Sequence, residues 1–484
     1  MVGTTLRDDQ DLARLISQAR KSFEGGAREQ AESRILEAVA QYGRRGDLLG
    51  ELAAMASWRG DLQGALRLYE EAAAVSPPDI GDGFRWEAGA RSFALRQYER
   101  GREHLERCRE VWPENGEVHA LLGGCYHGMN RRAEAEDSLR TALHLDGRNP
   151  DARALMRDLY YMQGRDSEVR PFLEQYVALA PELAASHGLL ANHTCFAEGD
   201  PRGSLDHYKR ALRITRNRWN RKLNPMYYAT LRYPESLVWE FVGALADCGQ
   251  PAQAEREAFR RLRGAELMAC RAHLAKKAGD LHRALELAAD AVEMQPDVPP
   301  WRAYLGYLQI LGGDTPAAEA SLRRSVDSES ELRATPVDPL VGLAFVTEAM
   351  GRRAEAEQMF ERAQQASAHQ AWHAHAQLML DLGLWERASE GARTVLGLDP
   401  RSPQALAILA DAERERGNLR EASATLQRLV ELQPRNARAW LKLAGVLREM
   451  GETAAADAAI RTAVRTGNAP KGWEAAHAGR EGKG

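Results

Sequence analysis

The chain has 484 residues, of which 28% are charged and 7% aromatic, with a mean hydropathy of −0.49 and a formal net charge of −4. This balance describes a water-facing protein and gives no overall electrostatic pull toward nucleic acid. Nowhere do eighteen apolar residues run together, which argues against membrane insertion, and the opening MVGTTLRDDQDLARL lacks the apolar stretch of a secretion signal, so a cytoplasmic location is expected.

From residue 12 onward the same pattern returns. In 46–79, Leu52 and Ala53 precede the turn Arg59-Gly60-Asp61, and Ala65, Tyr69 and Ala72 follow it before Pro77. Spacings of four and three place Ala65, Tyr69 and Ala72 on one stripe of a helix. Gly60 can end the first helix in the left-handed region and Asp61 can cap the second. Ala53 and Ala65 are small where two backbones approach, and Tyr69 is large where it must reach a neighbouring helix.

Further along, a proline or a turn substitute recurs every thirty-four residues, at Pro113, Gly147 and Pro181, then at Pro400, Pro434 and Asn468. A second marker keeps that period at Asn130 and Gly164, at Gly279 and Gly313, and at Gly383, Gly417 and Gly451. Two interleaved markers with one period specify a helix-turn-helix unit repeated end to end. Units are expected at 12–45, 46–79, 82–115, 116–149, 150–183 and 184–218, then at 235–264, 265–298, 299–332, 337–370, 369–402, 403–436 and 437–470.

Two places break the period. Gly313 and Gly351 are thirty-eight residues apart, and the surplus falls in 328–339, where a looser loop is expected. The larger break is 219–234, where Pro225, Pro234, Trp219 and Tyr227 interrupt the pattern. The expected organisation is a block of about six repeats at 1–218, in which the second helix of the sixth repeat runs on, an irregular connector at 219–234, a block of about seven repeats at 235–470, and a cap with a frayed tail at 471–484. Met1 to Gln10 is expected to be equally loose.

Residues 207–234 also concentrate Arg213, Arg216, Arg218, Arg221, Lys222 and Arg232 with few acids nearby. Three readings stay open: aromatic side chains plug a seam while the arginines solvate a long helix, the patch binds an acidic protein, or it binds nucleic acid by pairing phosphates and stacking bases. The last is the weakest in a chain that is net acidic.

The units resemble the tetratricopeptide-repeat family, with its pattern W-x2-L-G-x2-Y, then A-x3-F, then P. Unit 116–149 carries Leu122, Gly123 and Tyr126, then Ala135, Leu139 and Ala142, and unit 437–470 carries Trp440, Leu443 and Ala444, then Ala456, Ile460 and Ala463. The resemblance implies an all-α, right-handed superhelical solenoid of about thirteen repeats whose concave face is lined by the first helix of each pair. One inner row is then Arg20, Ala54, Ala90, Gly124, Asp158, Asn192, Gly243, His273, Tyr307, Phe345, Gln377, Asp411 and Gly445, with Asn192 included if the one-residue slip of the sixth unit falls after it. A second row holds Trp86, Trp239 and His373, and a third Phe93, His127, Tyr161, Lys276 and Arg414. These rows would hold a peptide or helix of a partner by a few anchors. The lysine that grips a C-terminal carboxylate in some members is replaced by Ile16, Trp86 and His373, so that clamp is absent. An asparagine ladder found in others is absent as well.

No phosphate loop, dinucleotide fingerprint, nucleophile elbow or kinase signature is present, so no catalytic residue and no cofactor is assigned. His369, His373 and His375 could place imidazoles one turn apart, but no second ligand cluster accompanies them, and His187, His193 and Cys195 make a weaker case. Cys108, Cys125, Cys195, Cys248 and Cys270 lie in helical patterns without C-x-x-C spacing and are expected as reduced, mostly buried thiols. Eight lysines against fifty-seven arginines suggest a GC-rich, bacterial coding sequence. The expected function is a scaffold or adaptor that binds another protein, with a substrate-recruiting accessory of a separately encoded enzyme as the alternative. Self-association through terminal repeats is a further expectation.

Overall fold

The computed structural model describes residues 2–24, 27–59, 61–215, 233–296, 298–327 and 338–466. They form helices, with no strand among them, and fall into two compact units, one up to Ala180 and one from Pro181. None of the described helices is long and apolar enough to cross a membrane.

The first unit contains α1 (Val2–Glu24), α2 (Arg28–Tyr42), α3 (Gly46–Arg59), α4 (Leu62–Val75), α5 (Pro78–Ala94), α6 (Tyr98–Val111), α7 (Gly116–Gly128), α8 (Arg132–Leu145), α9 (Pro150–Met162) and α10 (Asp166–Leu179). The second contains α11 (Ala184–Asn192), which continues as a π-turn (His193–Ala197), then α12 (Pro201–Ile214), α13 (Tyr233–Asp247), α14 (Pro251–Arg261), α15 (Gly264–Lys277), α16 (Leu281–Met294), α17 (Pro299–Leu311) and α18 (Thr315–Asp327). It ends with α19 (Pro339–Ala349), α20 (Arg353–Asp381), α21 (Trp385–Leu398), α22 (Pro403–Glu415), α23 (Leu419–Leu432), α24 (Ala437–Glu449) and α25 (Thr453–Arg465). The described helices pair consecutively into thirteen hairpins, with α20 serving two of them.

The local chemistry follows the repeated pattern. Asp61 caps α4 by accepting from the Gly64 N–H at 2.7 Å, and Ala53, Ala65, Tyr69 and Ala72 are all buried. Burying a side chain the size of Tyr69 contributes about 2 kcal/mol. Gly123 allows α7 and α8 to touch, since a Cβ there would lie 2.6 Å from Leu139 Cγ. Among the described residues the hairpin turns use the left-handed region. Arg96 (φ 56°) and Asn130 (φ 59°) adopt it without being glycine, and Gly164, Gly199, Gly249, Gly279, Gly313, Gly351, Gly383, Gly417 and Gly451 continue the series. Gly60 lies outside the described residues.

Several expectations need correction or fall outside the described residues. The helix α1 begins at Val2, although Met1 to Gln10 was expected to be frayed. The segment has no proline, and after Gly3 no glycine, to stop a helix. α12 spans Pro201–Ile214, with the Thr215 N–H donating to Ala211 O at 3.0 Å, and the expected continuation of this helix lies outside the described residues. Of the connector 219–234, only Tyr233 and Pro234 are described, and they open α13; the surplus loop residues 328–337 and the expected cap 471–484 lie outside the described residues. Packing does not follow the break in the sequence. Leu205, Tyr208 and Leu212 of the sixth repeat share one core with Leu237, Phe241 and Leu245 of the seventh.

The 29-residue α20 fuses the second helix of one repeat to the first of the next. Here Gly351 and Gly383 are only thirty-two residues apart, and no proline separates the helices. The opposite irregularity occurs in the sixth repeat. Gly199 follows Gly164 by thirty-five residues, and the extra residue is absorbed by the π-turn directly after Asn192, where the Glu198 N–H donates to His193 O at 3.1 Å.

That π-turn leaves two carbonyls needing donors. The Asp200 N–H is taken by Thr194 O at 2.9 Å, and Pro201 has no N–H to offer Ala197 O. Both are met by Gln433, 237 residues beyond Phe196, whose Nε2 donates to Phe196 O at 2.7 Å and Ala197 O at 3.0 Å. Beside this contact Arg435 pairs with Asp200 at 3.2 Å and Arg438 with Asp247 at 2.8 Å. The second unit therefore closes on itself, the last two of its described repeats meeting its first two.

Candidate functional site

The inner rows of the second unit bring many of the expected residues together, largely by binding them to one another. Trp239 stacks on Trp301 with centroids 6.4 Å apart and lies 6.0 Å from His273; His273 lies 6.5 Å from Tyr304, which stacks on Tyr307 at 6.3 Å. This ladder ends at a polar node. Lys276 Nζ donates to the Tyr307 hydroxyl at 2.7 Å and to Asp381 Oδ2 at 3.0 Å, Tyr307 donates to the same carboxylate, and Gln377 Nε2 donates to Oδ1 at 3.1 Å. Burial, reinforced by the Asp381 charge, drives the Tyr307 hydroxyl well above its ordinary range.

Asp381 was not anticipated. Its position two residues before the turn glycine Gly383 was visible, but only the fused α20 carries it back to Lys276, 105 residues away. Tyr307 itself is buried, with 4% of its surface exposed, so it supports this wall instead of offering a free face. Phe345 packs half-buried against the core around Leu343 and Val346. Asp411 accepts from Lys442 at 2.6 Å, and Arg414 donates to Glu449 at 3.1 Å. Asn192 accepts from the Tyr208 hydroxyl at 2.6 Å.

The candidate histidines are buried or half-buried. Burial lowers His273 to about 4, aided by Lys277 and Lys276, and lowers His375 to about 4, aided by Arg387. His375 sits 5.6 Å from both Phe360 and Trp372, and His373 is lowered by burial and by His369. His187 Nδ1 lies 3.2 Å from His207 Nδ1, and His193 Nε2 lies 3.1 Å from Glu198. Among the described residues no three His, Cys, Asp or Glu side chains are placed to hold a metal ion. The five cysteines are free thiols, four of them buried, and burial lifts every one, Cys108 and Cys248 to about 11 and Cys125, Cys195 and Cys270 to about 12.

The first unit is arranged differently. On α7, burial lowers His127 against the opposing pull of Asp158, and Tyr161 is half-buried on α9. Trp86 packs one side against the core of α5 to α9, and its other neighbours outline an open cleft of about 860 Å³. The walls are Gly83 and Trp86 of α5, the link Trp112 to Asn115 between α6 and α7, Gly116 and Glu117 in the first turn of α7, and Leu145 and Asp146 at the end of α8. Of these only Trp86 belonged to the expected inner rows. Trp112 and Glu114 lie in an inter-repeat link, and Glu117 and Asp146 at helix ends, where helical periodicity carries little information. Of the basic patch, Arg213 is exposed in the last turn of α12, while Arg216, Arg218, Arg221, Lys222 and Arg232 lie outside the described residues.

Comparison with known proteins gives consistent family matches. Residues 89–152 and 271–339 match the tetratricopeptide repeat model, and residues 340–466 match that of the cilia and flagella-associated protein 70 middle TPR-like domain. A curated relative, cellulose synthase operon protein C of Xanthomonas axonopodis pv. citri (strain 306), is 26% identical over 323 residues, covering 62% of this chain. The chain spans about a fifth of that relative's length, 21%. Among solved structures, yeast Tom70 aligns with a TM-score of 0.38 at 13% identity over 91% of this chain and 94% of its own. The APC/C hetero-tetramer Cut9-Hcn1 aligns at 0.33 and 12% identity over 93% and 92%. With its hairpins in phase and its repeats matching the family model in both halves, the chain belongs to the tetratricopeptide-repeat family.

Proposed function

We propose that the chain is a non-catalytic scaffold or adaptor that holds a segment of another protein, and that the first unit makes the contact. The observation that carries this reading is the open cleft beside Trp86: in the second unit the corresponding wall is engaged by its own Asp381, Lys276 and Tyr307, whereas around Trp86 the surface is concave and lined by indoles and polar groups. Five cysteines left as thiols fit work in the reducing cytoplasm. An acidic partner at the basic stretch around Arg213 is a separate contact that this reading accommodates.

Replacing Gly83 by phenylalanine tests the reading. A Cβ at Gly83 meets nothing within 4 Å, so a larger side chain starts into open space at the wall of the cleft. Affinity capture from the native host followed by mass spectrometry is expected to recover a partner with the wild-type chain and to lose it with Gly83→Phe. Equal recovery with both baits, at unchanged thermal stability, would remove the cleft from the account.

The name of the curated relative favours a second reading, in which the array is an accessory subunit that recruits material for a separately encoded biosynthetic enzyme. A captured partner with a catalytic domain of that kind distinguishes this from a general adaptor.

A further inference from the structure

The cleft in the first unit has a definite electrostatic character. Glu114, Glu117 and Asp146 line it together with Trp86 and Trp112, and among the described residues no lysine, arginine or histidine does. The Glu117 carboxyl is raised from its ordinary value by partial burial and by the nearby charges of Asp146 and Glu87. In a concave site, same-sign charge is focused instead of being dispersed into solvent. Two indoles among the lining residues can add attraction for a cation, and a guanidinium can satisfy both features, stacking on a ring while donating to a carboxylate.

Gly83 supplies an independent observation. It lies inside α5, where glycine costs about 0.5–1 kcal/mol relative to alanine. No neighbour requires the missing side chain, since a Cβ there would meet nothing within 4 Å. What the glycine does achieve is to keep the wall of the cleft clear.

We propose that this cleft receives an arginine side chain presented by a partner polypeptide, held between the tryptophans and the carboxylates. The inference rests on the scaffold reading and specifies its partner: a basic segment at the first unit. The cleft of about 860 Å³ exceeds what one guanidinium fills, which leaves room for the flanking peptide backbone.

The test uses the full chain labelled with 5-fluorotryptophan and observed by fluorine NMR at pH 7.5, with the two resonances assigned from Trp86→Phe and Trp112→Phe. The probes are acetyl-Gly-Gly-Arg-Gly-Gly-amide, the same peptide with glutamate in place of arginine, and choline. Saturable shifts of both resonances are expected with the arginine peptide and none with the glutamate peptide. Glu117→Gln and Asp146→Asn are each expected to weaken binding about tenfold, the scale of a charge-assisted contact. Both sit at or beside helix ends on the surface, so folding is preserved and is checked by thermal melting.

Equal shifts with the glutamate peptide, or affinity unchanged in both charge variants, would overturn the proposal. So would a response to choline with the arginine peptide silent, which would mark a small-molecule site. Failure of the scaffold reading gives a different result: capture from the host is then indifferent to Gly83→Phe. If Gly83→Phe abolishes capture while Glu117→Gln and Asp146→Asn do not, the location stands and the arginine assignment falls.

Discussion

Gln433→Ala tests how the second unit is held closed. The side chain is 3% exposed and its Nε2 donates to Phe196 O and Ala197 O, while Oε1 accepts from Asn436 Nδ2 at 2.6 Å. Alanine removes the donor from two carbonyls that the π-turn cannot serve internally. Leaving a buried polar group unmet costs about 1–3 kcal/mol, and partial access of water to the widened contact reduces the sum for two, so about 2 kcal/mol is expected. The loss is local, because repeat arrays are held by nearest-neighbour terms and the flanking hairpins remain intact. Hydrogen exchange of the full chain, read by mass spectrometry over residues 193–205, is the matching assay. A loss of about 2 kcal/mol in local opening corresponds to exchange about 30-fold faster there, with α3 and α4 unchanged as the internal control. Exchange within about twofold of wild type at 193–205 would refute the reasoning.

Three further outcomes follow from buried polar groups. Glu413 is fully buried and accepts from Ser389, from Arg393 at 2.9 Å, from Arg416 at 2.8 Å and from Asn418 at 2.5 Å, so Glu413→Ala is expected to destabilise by about 3 kcal/mol in guanidinium unfolding. His273 and His375 stay neutral when folded down to about 4 but protonate at 6.5 when exposed, so each takes stability away as pH falls from 6.5 toward 4 and nothing further below that. A His273→Gln, His375→Gln pair should show a drop in stability between pH 7 and pH 5 that is smaller by about 2 kcal/mol per histidine, measured by chemical unfolding at each pH. Finally, the burial of Cys108, Cys125, Cys195 and Cys270 predicts that at pH 8 a thiol reagent modifies these four only after denaturation, whereas half-buried Cys248 reacts first.

Much of the fold was legible because it is local. A glycine or asparagine at a left-handed turn, an aspartate cap such as Asp61 and small residues such as Ala53 and Ala65 are set by contacts within one hairpin, and their period appears directly in the sequence. Small slips in that period were also informative. The extra residue before Gly199 marked the π-turn, and the overlap of units 337–370 and 369–402 marked the fused α20, although the meaning of each required coordinates. The meetings of Gln433 with Phe196 and of Asp381 with Lys276 were not legible, because they depend on rotations accumulated over many repeats. Inner-row phase placed Lys276, Tyr307 and Gln377 near one another without showing that Asp381 would engage all three. The cleft was half legible. Trp86 fell in an inner row, whereas Trp112, Glu114 and Asp146 sit in links or at helix ends, where apolar periodicity is silent.

In the proposed function the first unit grips a basic polypeptide segment beside Trp86. A photo-crosslinking amino acid placed at position 83 of the full chain in its native host, with exposed position 390 as control, tests it most directly, the adducts being identified by mass spectrometry. The account predicts that position 83 crosslinks to an arginine-containing segment of one partner and that position 390 does not. Absence of a protein adduct at position 83, or the same adducts at both positions, would contradict it.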